Sequence, residues 1–299
     1  MKAIATFSNR LGNRANNEDR CLVIEKPGRV LLAVADGMGG HARGELASQT
    51  TVDSFTWQFE QQRRPVNAPP VFLQMMLENA HFEVVQAGRR EQPPVQCRTT
   101  CVTCLVQGDH AWWAHVGDSR LYLLRDGRLV TRTRDHTPVE DMMQSGLISE
   151  AEIATHPLRN SVSRCLGGAV APQPVTFDDA ALQAGDVLLL CSDGLWSALP
   201  EQDILDLCAA DDLAAAVEAL AERAEKASYP HSDNISAVAL RWLAAEPGDV
   251  DSGEEGEPVT AEVPSEAAPA TPEEPKDPLE KAIEDIERAI REYAPEMKK

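Results

Sequence analysis

The 299-residue sequence has no apolar run long enough to cross a bilayer. Its longest runs, such as Val30–Ala35, fall far short of the roughly 20 residues a spanning helix needs. The first residues, MKAIATFSNRLGNR, carry neither a long apolar segment nor a small-residue cleavage pattern, so no secretory signal is expected. Basic residues are scarce: 28 Lys and Arg face 48 Asp and Glu, leaving a formal charge of −20. Such a chain lacks the basic patch that nucleic-acid binding requires. It also lacks the attraction that would hold it to anionic lipid. No nucleic acid and no membrane is therefore expected among its partners. The seven cysteines are an odd set without framework spacing, and a cytoplasmic protein is expected. Cys101 and Cys104 form a CxxC, but within a strand over Thr99–Val106 positions i and i+3 face opposite ways. They are poor co-ligands and are expected as buried small hydrophobes. No internal repeat is present.

What the chain does have is enough apolar residues, 43%, to build a substantial core. Its acidity is uneven. Residues 246–278 hold eleven acids, one base and seven of the twenty prolines. That stretch cannot bury enough surface to offset its ordering entropy and is expected as a disordered acidic, Pro-rich linker. Residues 279–299 recover a helical pattern. Asp277 and Pro278 suit a helix start, Glu280 completes a capping box, and Leu279, Ile283, Ile286, Ile290 and Tyr293 form an apolar stripe. This short amphipathic C-terminal helix is expected to dock on a partner or on the body. Residues 1–245 remain as the body.

The body alternates β-like and helical stretches. Strands are expected at Cys21–Glu25, Arg29–Ala35, Cys101–Gln107, Ala111–Val116, Arg120–Arg125, Arg128–Thr133, Val187–Cys191 and Ile235–Trp242. Helices are expected at Glu45–Phe59, Val71–Ala87, Glu201–Ala209 and Leu213–Ala227, the last capped by Asp211. Asp126-Gly127 between two alternating runs signals a two-residue hairpin. Strands that arrive in hairpins favour an α+β fold with helices layered on antiparallel sheets.

Acids recur where apolar strands begin or end. Asp36-Gly37 closes VLLAVA, Asp118 follows HVG, Asp193-Gly194 closes VLLLCS, Asp233 precedes ISAVAL, and Glu18-Asp19 precedes the first of the expected strands. Core strands ending this way bring carboxylates together, where like charges repel and are costly to desolvate. Bound divalent cations explain such a cluster most simply, and an all-oxygen set suits Mg²⁺ or Mn²⁺. Any one Asp-Gly pair is more often only a turn, and Asp126-Gly127 is read so. Gly37-Met38-Gly39-Gly40-His41-Ala42 also fits a dinucleotide fingerprint, but Asp36 would oppose a pyrophosphate and the hairpin-rich body is the wrong context.

Five segments in order resemble one family: Arg14 with Asn17-Glu18-Asp19, Val34–Gly40, Val116–Arg120, Cys191–Trp196 and Ser232–Ser236. They resemble the metal-dependent Ser/Thr protein phosphatases of the type-2C class (PPM), bacterial branch, over roughly residues 5–243. Asp135-His136-Thr137 through Leu166-Gly167 resembles that branch's flap. The resemblance implies a phosphatase catalytic domain at 1–245 with a four-layer α-β-β-α sandwich of two mainly antiparallel sheets flanked by helices. It implies hydrolysis of phosphoserine and phosphothreonine in proteins by a metal-activated water, opposing a bacterial Ser/Thr kinase. Phosphorylated proteins and a cognate kinase would be its partners. Asp36 would bridge two Mn²⁺ or Mg²⁺ ions, the Gly37 carbonyl, Asp193 and Asp233 would complete the ligands, and Glu18 and Asp19 would act through water. Asp118 would hold a third, weaker ion. Arg14 would bind the substrate phosphate. His41 is a candidate general acid, weighed against a structural loop histidine. Arg98 stands where the family commonly has glycine. It either alters the local turn or adds a surface charge near the site. The competing reading is an inactive phosphatase-like binding module, whose mark would be lost ligand acids.

Overall fold

The computed structural model describes residues 1–38, 43–153, 155–159, 161–168, 171 and 176–244. The chain divides into two units, Met1–Asp251 and Ser252–Lys299. The linker expected at 246–278 and the helix expected at 279–299 lie outside the described residues.

The first unit opens with strands β1 (Lys2–Arg10), β2 (Asp19–Lys26) and β3 (Arg29–Met38), then helices α1 (Gly44–Gln61) and α2 (Pro69–Arg90). Strands β4 (Arg98–Thr99), β5 (Cys101–Gln107), β6 (His110–Val116), β7 (Arg120–Arg125) and β8 (Arg128–Arg132) follow. Two short helices, α3 (Pro138–Gln144) and α4 (Glu150–Ile153), lead to β9 (Thr176–Ala181) and β10 (Val187–Cys191). Helices α5 (Asp193–Trp196), α6 (Glu201–Leu205) and α7 (Leu213–Ser228) precede β11 (Ile235–Ala244). One sheet runs β1-β11-β10-β7-β8; the other runs β2-β3-β5-β6-β9, with β4 also on β3. Every strand pair is antiparallel.

Period-two alternation separates the core into layers. Val30, Leu32 and Val34 of β3 join Val102 and Cys104 of β5, Leu188 and Leu190 of β10, and Val238 and Leu240 of β11 in the space between the sheets. The opposite β3 residues, Leu31 and Ala33, pack with Phe55 and Phe59 of α1 and Leu73, Met76 and Leu77 of α2. Leu189 and Ala239 on the other sheet's outer face meet Leu213, Val217 and Leu220 of α7. The result is the expected four-layer α-β-β-α sandwich. Cys101 and Cys104 fall in different layers, both fully buried, so the CxxC is two separate packing residues.

Several boundaries move for identifiable reasons. β1 was not expected, because its larger apolar residues, Ile4 and Phe7, are exposed and only small Ala3 and Ala5 pack on the core. Pairing with β11 and polar ties to α7 hold it, including Ser8 Oγ to Glu218 at 2.6 Å and Arg10 Nε to Glu225 at 2.7 Å. β9, TFDDAA, has too little apolar content to announce a strand and is recruited by β6. α2 starts two residues early because Pro69 and Pro70 suit a first helical turn. The cap of α7 is Asp212, whose side chain accepts from the Ala215 N–H at 3.0 Å, not Asp211. The helix expected over Glu201–Ala209 tightens to a 3₁₀ turn after Leu205. The hairpin at Asp126-Gly127 has φ of 51° and 70°, the paired left-handed geometry that lets two residues join twisted strands. Among the described residues no helix is long and apolar enough to cross a membrane.

Candidate active site

The alternation that fills the inter-sheet core also builds the site. Continuing Val30, Leu32, Val34 by two residues puts Asp36 on the same face at the strand's end. β2 pairs Asp19 directly with Asp36, and Cys21 and Val23 on its core-facing side carry Asp19 onto that face. From the other sheet, Asp193 follows β10, Asp233 precedes β11, and Asp118 lies in the turn between β6 and β7. Arg14, Glu18, Asp36, Gly37, Asp118, Asp193 and Asp233 line one cleft of about 370 Å³, joined by Asn16, Met38, Val162 and Asn234. Asp19 lies beneath it, 1% exposed. His41 lies outside the described residues.

Backbone hydrogen bonds fix the acidic loops. The Gly37 N–H donates to the Glu18 carbonyl at 3.1 Å. The Asp36 carbonyl accepts from the Thr100 N–H and from Thr99 Oγ1, both at 2.8 Å. Gly37 must be glycine: a Cβ there would lie 2.4 Å from the Gly44 carbonyl oxygen and 2.6 Å from that of Glu18. The close approach brings the start of α1 against Glu18, where the Gly44 N–H favours the carboxylate. Asn234 is a structural staple whose role was not read from the sequence. Its Oδ1 accepts from the Glu18 N–H at 2.8 Å, and its Nδ2 donates to the carbonyls of Leu11 at 2.8 Å and Asn16 at 3.1 Å. A side-chain amide with both donors and acceptor can bind three backbone groups at once, which an aspartate could not.

Electrostatics single out the same acids. Burial first, then neighbouring aspartates, raises the Asp36 carboxyl well above the usual 3.8. Asp19 is raised mainly by burial, and its Oδ2 has no hydrogen-bond partner. Asp193 is raised by burial and by Asp233. Asp118 is pushed up to about 7 by burial, then by Asp193 and Asp135. Arg14 Nη2 meets Asp233 Oδ2 at 2.7 Å and is the cation nearest this charge in the cleft lining. Among the described residues no three acidic, histidine or cysteine side chains close tightly enough to enclose a metal ion. The carboxylates do lie close enough to raise one another's pKa, with Asp36 within hydrogen-bonding reach of Asp193. The donor set nevertheless fits hard divalent cations: it is all oxygen, desolvated, and contains a buried carboxylate oxygen with no donor.

A second network, also unread in the sequence, braces Asp118. The Arg120 guanidinium grips Asp135 through two bonds of 2.8 Å and stacks 3.4 Å from the Trp196 ring centre. Trp196 Nε1 in turn donates to the Asp118 carbonyl at 3.0 Å. Burial lowers the Arg120 pKa, but the hydrogen bonds and charges of Asp135 and Tyr122 together outweigh that and raise it. The serines beside the acids are not nucleophiles in waiting. Ser119 Oγ bonds Thr100 Oγ1 at 2.6 Å, and Ser192 Oγ accepts from the Ser236 N–H at 3.0 Å, with no histidine on either among the described residues.

Comparison with known proteins agrees with this picture. A family model described as protein phosphatase 2C matches residues 8–238. The serine/threonine protein phosphatase PstP of Mycobacterium tuberculosis is 34% identical over 225 residues, covering 75% of this chain. The chain spans only 42% of that protein's length. The serine/threonine phosphatase stp of Listeria monocytogenes is 32% identical over 233 residues, covering 75% of this chain and 90% of its own. Among solved structures, the PstP catalytic domain in complex with two manganese ions superposes with a TM-score of 0.69 at 31% identity, covering 81% of this chain and 98% of that one. Stp1 of Staphylococcus aureus superposes with a TM-score of 0.74 at 26% identity, covering 82% and 96%.

Proposed function

This chain belongs to the protein phosphatase 2C family, and from that premise we propose that it is a metal-dependent protein-serine/threonine phosphatase. The observation that carries the reading is the meeting of five acids, Glu18, Asp36, Asp118, Asp193 and Asp233, with Arg14 on one cleft at the shared end of two facing sheets. The same observation answers the binding-module reading, whose mark would be missing acids.

In this proposal Asp36, the Gly37 carbonyl, Asp193 and Asp233 hold two Mn²⁺ or Mg²⁺ ions, Glu18 and Asp19 reach them through water, and Asp118 holds a third, weaker one. When bound, the cations neutralise phosphoryl charge and acidify the attacking water. The remaining work falls to the chain. Arg14 releases Asp233 and turns its fork to two phosphate oxygens, a geometry that guanidinium matches. Asn234 and Gly37 keep the Glu18 and Asp36 loops at fixed separation. Asp19, desolvated beneath the cleft, orients what lies above it. His41 is the proposed proton donor to the leaving alkoxide. The substrates are phosphoserine and phosphothreonine proteins, and a bacterial Ser/Thr kinase is the signalling enzyme it opposes. The helix expected at 279–299 would dock on a partner or on the body. The test is phosphate release from phosphothreonine and phosphotyrosine peptides with Mn²⁺. Release from the first at least tenfold faster is expected; release from neither would refute the proposal.

A further inference from the structure

Arg98 is the charged residue that neither the core nor the cleft accounts for. β4 pairs with the end of β3 so that Arg98 lies directly opposite Met38 and Thr99 opposite Gly37. The register is continuous with the β3–β5 pairing, where Val34 opposes Val102, and the Thr100 N–H donates to the Asp36 carbonyl between them. Residues directly opposed on antiparallel strands project to the same face. Asp36 and Met38 both line the cleft. Arg98 therefore projects to the cleft side, at its rim, one strand over from Asp36 and one pleat beyond it.

Its surroundings leave the guanidinium available. Arg98 is exposed. Nη2 donates to Gln96 Oε1 at 2.7 Å, and no carboxylate pairs with it among the described residues. Arg14, by contrast, is engaged with Asp233. On its far side Arg98 lies close enough to the Cys165 thiol to counter part of the upward push that burial gives it. Cys165 belongs to the segment that contributes Val162 to the cleft wall. Arg98 thus stands between the β3 end and this returning segment, a positive group at the lip of a cleft whose lining holds five acids and Arg14. A substrate crossing that lip would meet repulsion from the acids and attraction from Arg98.

The spacing indicates what it would attract. Neighbouring strands are about 4.8 Å apart and two residues of strand span about 7 Å, so Arg98 is roughly 8 Å from Asp36 along the sheet. An extended peptide advances about 3.3–3.6 Å per residue. We propose, resting on the phosphatase reading, that Arg98 is a specificity-determining residue that binds an anionic group about two residues from the scissile phosphoresidue, selecting substrates with clustered negative charge. A carboxylate and a second phosphate share this chemistry.

The test uses three phosphothreonine peptides, with the phosphate replaced by a non-hydrolysable phosphonate. They carry alanine, glutamate, or a second such phosphonate two residues to either side. Affinity for the full-length, Mn²⁺-loaded chain is read by fluorescence polarisation. Wild type should bind the anion-flanked peptides about three- to fivefold more tightly than the alanine peptide, the gain an exposed ion pair supplies, and 0.5 M salt should remove the difference. Arg98→Ala should bring the ratio to one, and Arg98→Lys should keep part of it. A gain for both anionic peptides assigns carboxylate or phosphate alike; a gain for the double-phosphonate peptide alone assigns phosphate. A ratio unchanged in Arg98→Ala, or an equal loss across all three peptides, overturns the proposal. Phosphate release from the ordinary alanine-flanked phosphopeptide tests the phosphatase reading separately, since a chain that discriminates without releasing phosphate would sink only that reading.

Discussion

Replacing Asp118 by asparagine should make the metal-free protein more stable, and the gain should grow with pH. Asp118 is 5% exposed and is pushed up to about 7 from its ordinary 3.8, by burial first and then by Asp193 and Asp135. Between those two pH values the folded chain keeps a proton that the unfolded chain has released. Stability from the protonated carboxyl is therefore fully present below about pH 4 and lost as pH rises through 7. At about 1.4 kcal/mol per pH unit, the full cost is about 4.5 kcal/mol, and about 2.5 kcal/mol of it accrues between pH 5 and pH 8. Asparagine does not titrate, so any fixed difference in shape or hydrogen bonding cancels between the two pH values. For a domain of this size the widening corresponds to roughly 5–10 °C in melting temperature. The assay is thermal melting of wild type and Asp118→Asn in EDTA at pH 5 and pH 8. Excess Mn²⁺ at pH 8 should then narrow the gap, because a bound cation favours the ionised carboxylate that the variant lacks. A gap that is the same at both pH values would refute the electrostatic account of this site.

Other outcomes follow from named contacts. Arg120→Ala leaves Asp135 without its two bonds and removes the ring stack on Trp196, so urea unfolding should show a loss of about 3 kcal/mol or more. Gly37→Ala forces a methyl against two backbone carbonyls, which should cost about 1–3 kcal/mol and cut kcat on p-nitrophenyl phosphate at least tenfold. Deleting residues 246–299 should change turnover of that substrate by less than twofold; a large loss would mean that the segment completes the domain.

The sequence was most legible where side-chain period and burial coincide. Leu32, Val34 and Asp36 share one face because a strand repeats every two residues, and that rule alone sends a carboxylate to the end of a buried face. Asp126-Gly127 was legible because few residue pairs suit two consecutive left-handed positions. β1 and β9 were hidden because their partners, not their own apolar content, make them strands. The bracing of Asp118 by Arg120, Asp135 and Trp196 joins residues as much as 78 positions apart, so no local pattern could announce it. The same holds for Asn234, whose three backbone partners come from the opposite end of the domain. Asp211 and Asp212 are equally good caps by composition, and only the position of the first helical turn separates them.

The central claim is that the acids of the cleft hold the cations on which hydrolysis depends. Mn²⁺ binding by calorimetry, run beside phosphothreonine-peptide turnover on wild type and Asp193→Asn, tests it most directly. The account predicts that EDTA abolishes wild-type turnover, that activity returns in step with metal uptake, and that Asp193→Asn loses affinity for metal and at least a hundredfold in turnover together. Full turnover in EDTA, or an Asp193→Asn variant as active as wild type, would contradict it.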